Sequence, residues 1–141
     1  MAVAKWATPG TRSGNIAGTT LNTLAHLGES ATMSYDNSGT NDKNLYGAVT
    51  VKLGAINAGV GASITLRVQF IETDTPDGRA GGDLYTSTVF RDGTSAAKIV
   101  IFNMVRLYPF SMRLSIINNT GVTLAGSGNE LYVKPWNEDV S

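Results

Sequence analysis

His26 is the only histidine in the chain, so any serine–histidine–acid triad or imidazole metal site would have to be built around it. Its neighbours Ala25 and Leu27 supply neither nucleophile nor acid, and it reads as a strand-surface side chain. A second oxygen-rich candidate is the stretch with Asp74, Asp77 and Asp83 between Thr73, Thr75 and two glycine clusters. Loops of that kind can hold calcium, but this one lacks the EF-hand spacing and its closing glutamate. Aspartate and glycine are also what any turn requires. A sugar-cleaving pair needs two carboxyl groups facing each other across a cleft. Glu72, Glu130 and Glu138 fall at strand ends or in the tail, and nothing pairs them. No glycine cluster is followed by the Gly-Lys-Ser/Thr that would cradle a phosphate. There is no cysteine, hence no disulfide and no thiolate metal site. The sequence therefore predicts no enzyme, no cofactor and no resident metal.

Aromatic side chains are the remaining chemistry. Trp6, Tyr46, Tyr85, Tyr108, Tyr132 and Trp136 could form a stacking platform for sugar rings if they shared a face. The plainer expectation is that they close a core or a subunit contact. Formal net charge is zero and only 16% of residues are charged, which excludes a basic stripe for nucleic acid and favours association. No run is long enough to span a bilayer as a helix, and the first residues carry no signal-peptide pattern, so the chain is expected to be made in the cytoplasm and to have no membrane partner.

These residues must be positioned by strands. In residues 63–71, Ile64, Leu66, Val68 and Phe70 alternate with Thr65, Arg67 and Gln69, the period-two signature of a half-buried strand. Similar segments follow at Ala31–Met33–Tyr35, over residues 45–53 with Leu45, Val49, Val51 and Leu53 inward, at 84–90, around Met112, Leu114 and Ile116, and at 131–134. Residues 98–105 are almost continuously apolar, which predicts a central strand or one covered on both sides. Over 16–27 the pattern fits a strand or a helix, and Thr19, Thr20 and Thr23 tip it towards strand. Val122–Thr123–Leu124 could add a short edge piece. The expected core is Leu53, Ile64, Leu66, Val68, Phe70, Ile99, Ile101, Phe102, Met112, Leu114 and Ile116. Strands at this spacing, joined by long loops, predict an all-β, two-sheet antiparallel jelly-roll sandwich of about eight strands over residues 16–141. Residues 1–15 read as an extended N-terminal arm. With Trp6 and Arg12 but few apolar residues, the arm is expected to order only against a partner surface. Trp6, Arg12 and Trp136 are the candidate interface residues.

The segments Ala17-Gly18-Thr19-Thr20-Leu21-Asn22-Thr23-Leu24-Ala25, Tyr35-Asp36-Asn37-Ser38, Leu45-Tyr46-Gly47-Ala48-Val49-Thr50-Val51, Asn118-Asn119-Thr120-Gly121-Val122-Thr123-Leu124 and Asn129-Glu130-Leu131-Tyr132-Val133 resemble small jelly-roll virion proteins of tailed bacteriophages. The resemblance spans about residues 16–136 and rests on strand and turn residues. It implies a structural protein of the phage particle, most often a capsid decoration or cement protein. Its partners would be the major capsid protein of the head and further copies of itself, with a trimer expected. The alternative is a carbohydrate- or receptor-binding jelly roll of a tail fibre or baseplate.

Overall fold

The computed structural model describes residues 4–6, 8–38, 44–70 and 82–140, with the backbone alone at 4–6, 70 and 138–140. The strands are β1 (Ala4–Trp6), β2 (Met33–Asp36), β3 (Tyr46–Ile56), β4 (Ser63–Phe70), β5 (Asp83–Thr88), β6 (Ala96–Arg106), β7 (Ser111–Asn119), β8 (Glu130–Trp136) and β9 (Glu138–Val140). All pairings are antiparallel. One sheet has the order β2-β7-β4-β5, the other β6-β3-β8, and β1 pairs with β9.

Residues 10–16 supply what the second sheet lacks. The amides of Gly10, Ser13 and Ile16 donate to the carbonyls of Pro135, Val133 and Leu131, so the segment runs antiparallel along β8. It advances three residues for every two of β8, which leaves the β8 amides out of step with its carbonyls. Side chains make up the difference: Asn15 Oδ1 accepts from Leu131 N at 3.0 Å, and Ser13 Oγ accepts from Val133 N at 2.9 Å. The β1–β9 pairing, with Trp6 opposite Glu138, prolongs the same ladder. Counting β1 and residues 10–16 together as the first strand, and β8 with β9 as the last, the partners are first with last, β2 with β7, β3 with β6 and β4 with β5. That is one long hairpin folded over on itself, the arrangement of a jelly roll. The two further pairings, β4 with β7 and β3 with β8, are made when the hairpin rolls up. The predicted two-sheet sandwich is observed. The expectation that the arm, residues 1–15, orders only against a partner surface is not met for residues 10–15, which lie along β8 of the same chain.

The core lies between the sheets. Val49, Val51 and Leu53 of β3, Ile64, Leu66 and Val68 of β4, Met112, Leu114 and Ile116 of β7, and Leu131 and Val133 of β8 are buried, each set at period two. Gly54 lets the 125–128 turn approach β3, since a Cβ there would fall 2.2 Å from the Ser127 carbonyl oxygen. Phe102 joins the core, but Ile99 and Ile101 do not: they are 63% and 48% exposed. They point to the outer face of the three-stranded sheet, which no second layer covers among the described residues. Leu45, expected inward, precedes β3 and is exposed. The side chain of Phe70 lies outside the described residues.

The predicted strand over 16–27 is replaced by turns. Thr20 N donates to Ala17 O, Asn22 N to Thr19 O and Leu24 N to Leu21 O, with Thr23 and Leu27 in left-handed backbone at φ 57° and 66°. Left-handed φ at a β-branched threonine is unfavourable and must be held by its surroundings. Here Thr23 N donates to Ala125 O and Leu27 N to Asn118 O. Burial of Ala17 and Leu21 in the end of the core outweighs the threonine preference for strand. Val122–Leu124 is likewise a loop.

Candidate interaction surfaces

Polar side chains that could do chemistry are held in structural pairs. His26 is exposed, and its Nδ1 accepts from Gly121 N at 3.1 Å, tying the 16–32 loop to the β7–β8 turn. The Arg67 guanidinium meets Glu29 at 2.7 Å on the outer face of β4. The Tyr108 hydroxyl donates to Asp83, which with burial raises its pKa. Asp92 accepts from the Lys98 ammonium at 2.8 Å and from the amide and hydroxyl of Thr94. These bonds, Lys98 first, hold its carboxyl far below the usual carboxylate range. Among the described residues no three acidic, histidine or cysteine side chains gather to hold a metal. Asp74 and Asp77 of the loop considered for calcium lie outside the described residues.

Sequence reasoning missed three buried asparagines that organise the loops, Asn37, Asn118 and Asn129, the last two with the most partners. Asn118 Nδ2 donates to the Leu24 and Val122 carbonyls, while its Oδ1 accepts from the amide and hydroxyl of Thr120. Asn129 Oδ1 accepts from Gly54 N, and its Nδ2 donates to Asn22 Oδ1 and Ala125 O. Both sit in Asn-rich turn sequences, and only the long-range partners distinguish them from ordinary turn residues.

The two outer faces of the sandwich differ. On that of the four-stranded sheet Thr65 bonds both Thr86 and Asn119, and Arg67 bonds Glu29, so these polar groups are satisfied within the chain. That of the three-stranded sheet is mixed. The cross-strand register sets Ile101, Thr50 and Tyr132 in one row, and Ile99, Lys52 and Glu130 in the next. Arg12 lies over the Tyr132 ring at 4.2 Å, and the Tyr132 hydroxyl donates to Glu130, which raises the phenol pKa. At the far end Tyr46 and Trp136 stack at 6.1 Å. Of the candidate interface residues, Arg12 and Trp136 thus share this face. Trp6 lies in β1, and its side chain is outside the described residues.

Where the edges of β5 and β6 meet, the sandwich is open along one flank. A groove of 310 Å³ there is lined by Tyr85, Ser87, Phe102 and Met104 among others. Two side chains cross it to the β6 backbone: Ser87 Oγ donates to Ile101 O at 3.4 Å, and the Tyr85 hydroxyl accepts from Arg106 N at 3.0 Å.

No family model and no curated protein matches the chain. Among solved structures it is similar to a chain in the X-ray structure of tomato aspermy virus, with 8% sequence identity and a TM-score of 0.42 over 96% of this chain and 75% of that one. A likeness at that level is one of general outline.

Proposed function

We propose that this chain is a structural protein of a tailed-phage particle, a capsid decoration or cement protein that binds across subunits of the assembled head. The observation that carries the reading is the uncovered outer face of the three-stranded sheet, where Ile99 and Ile101 stand in solvent beside Thr50, Lys52 and Tyr132. Apolar side chains exposed together on one sheet face mark an interaction site. The described polar groups serve loop and sheet structure, which agrees with a role in assembly. The sequence resemblance to phage virion proteins points the same way. Such a protein binds the assembled lattice in preference to free subunits, and so stabilises the assembled state by mass action. Repeated copies multiply weak contacts through avidity.

The test is titration of the purified protein onto expanded, empty heads of the phage that carries its gene. Saturable binding at a fixed ratio per capsomer is expected, together with a higher temperature of genome release from decorated particles. Absence of head binding would refute the reading. The aromatic face favours a second reading, a glycan-binding module of a tail fibre or baseplate. Against it, Tyr46 and Trp136 cover each other and Arg12 covers Tyr132, so these rings have partners within the chain. Saturable binding to an oligosaccharide, lost in Trp136→Ala, with none to heads would select this alternative.

A further inference from the structure

We infer that β6 is a self-association edge: two copies of this chain join antiparallel about a two-fold axis at Val100, fusing their three-stranded sheets into one. In an antiparallel strand both backbone groups of a residue point to the same side, and the side alternates along the chain. The Ile101 carbonyl faces away from β3, towards Ser87. The register is unbroken from Leu53↔Lys98 to Val49↔Phe102, so the amide and carbonyl of Ile99 face the same open flank. A two-fold axis at Val100 sets Ile99 of one copy opposite Ile101 of the other, twice. Each pair exchanges two backbone hydrogen bonds and packs isoleucine on isoleucine on the outer face, a favoured cross-strand pairing. No like charges oppose one another over this run. Lys98 points inward, is only 6% exposed, and is neutralised by Asp92.

The dimensions suit a dimer. The regular run symmetric about Val100, residues 98–102, is about 17 Å long at about 3.4 Å per residue. Two sheets about 10 Å apart, with their outer side chains, make a flank about 20–25 Å thick. The footprint is then roughly 350–400 Å² per copy, about 700–850 Å² in total, the size of a weak, reversible association. The association also closes on itself. The opposite edge of this sheet, β8, is already occupied by residues 10–16, and the irregularity in β6 between Phe102 and Val105 ends the regular run. A sheet with one open edge forms a pair and not a fibre. This inference does not depend on where the protein functions.

Sedimentation equilibrium of the full chain tests it. A monomer–dimer equilibrium in the micromolar range is expected. Ile101→Lys and Ile99→Lys should each weaken it at least tenfold, with an unchanged circular-dichroism spectrum, because both side chains are exposed. Val60→Lys, at an exposed loop position, should leave it intact. The double variant Ile99→Cys/Ile101→Cys should oxidise to a disulfide-linked dimer, because directly opposed residues of a hydrogen-bonded pair lie within disulfide reach. A monomer at millimolar concentration, a trimer, or a dimer indifferent to the two lysine substitutions would overturn the proposal. So would a β6 edge protected from hydrogen exchange only on phage heads, which would assign the edge to a foreign strand.

Discussion

At the scale of single residues, the buried asparagines do more than their neighbours reveal. Asn118 gathers three segments, the 16–32 loop, the end of β7 and the turn after it, through four side-chain hydrogen bonds. Asn118→Ala strands the buried Thr120 amide, while the Leu24 carbonyl keeps Leu124 N and the Thr120 hydroxyl keeps the Val122 carbonyl, at about 1–3 kcal/mol for the stranded group. A fall in the urea midpoint of at least that of one such group is expected, with faster hydrogen exchange at Leu27 and Thr120. Asp92 makes a pH prediction. Its pKa is lowered in the fold, so the stability it contributes is fully present above the unfolded value of about 4 and is lost as pH falls through the lower folded value. The melting temperature should therefore drop below pH 4. In Asp92→Asn that part of the slope should vanish, and the variant should melt lower at neutral pH, because the largely buried Lys98 loses its counter-charge. Thermal melts from pH 2 to 7 on both proteins check the sign.

At the scale of elements, the edges decide behaviour. β8 is covered because residues 10–16 donate three backbone hydrogen bonds to it, with Ser13 and Asn15 accepting from its amides. Deleting residues 1–15 would uncover amides and carbonyls along β8 and create a second open edge. The truncated chain should melt lower than the intact one and form species larger than a dimer, measured by calorimetry and by light scattering. A truncated chain of unchanged stability and size would mean that the segment contributes nothing to the sheet. β6 is the counterpart: eleven residues long, paired on one side only, with Ile99 and Ile101 outside.

At the scale of the whole molecule, the rolled hairpin explains why the ends of the chain matter as much as its middle. The first and last strands are neighbours, so β1 and β9 close the same ladder that residues 10–16 begin. Stability is spread over pairings distant in sequence, which sets a high contact order and slow folding. The same topology leaves one flank open, between β5 and β6, and one outer face with uncovered isoleucines. Both features belong to an assembling protein more readily than to a solitary one, and head-binding titration is the measurement at this scale.

Alternation of residue types determined the all-β class and the inward faces of β4 and β7, because a period of two needs no information beyond the strand itself. The lack of cysteine and of any motif around His26 likewise limited the chemistry before any fold was known. Only the tertiary structure decided which apolar residues are buried. Ile99 and Ile101 look like core in sequence, yet they stand outside because the sandwich packs β6 against a second sheet on the Val100 and Phe102 face alone. Whether a run is central or peripheral depends on strand order, which is set by pairings between distant segments. The 16–27 segment repeats the lesson: its threonines favour strand, but contacts with Ala125 and Asn118 hold it in turns. Residues 10–16 carry no apolar alternation at all. They join the sheet because β8 offers them a free edge, and a free edge exists only once the other strands are in place.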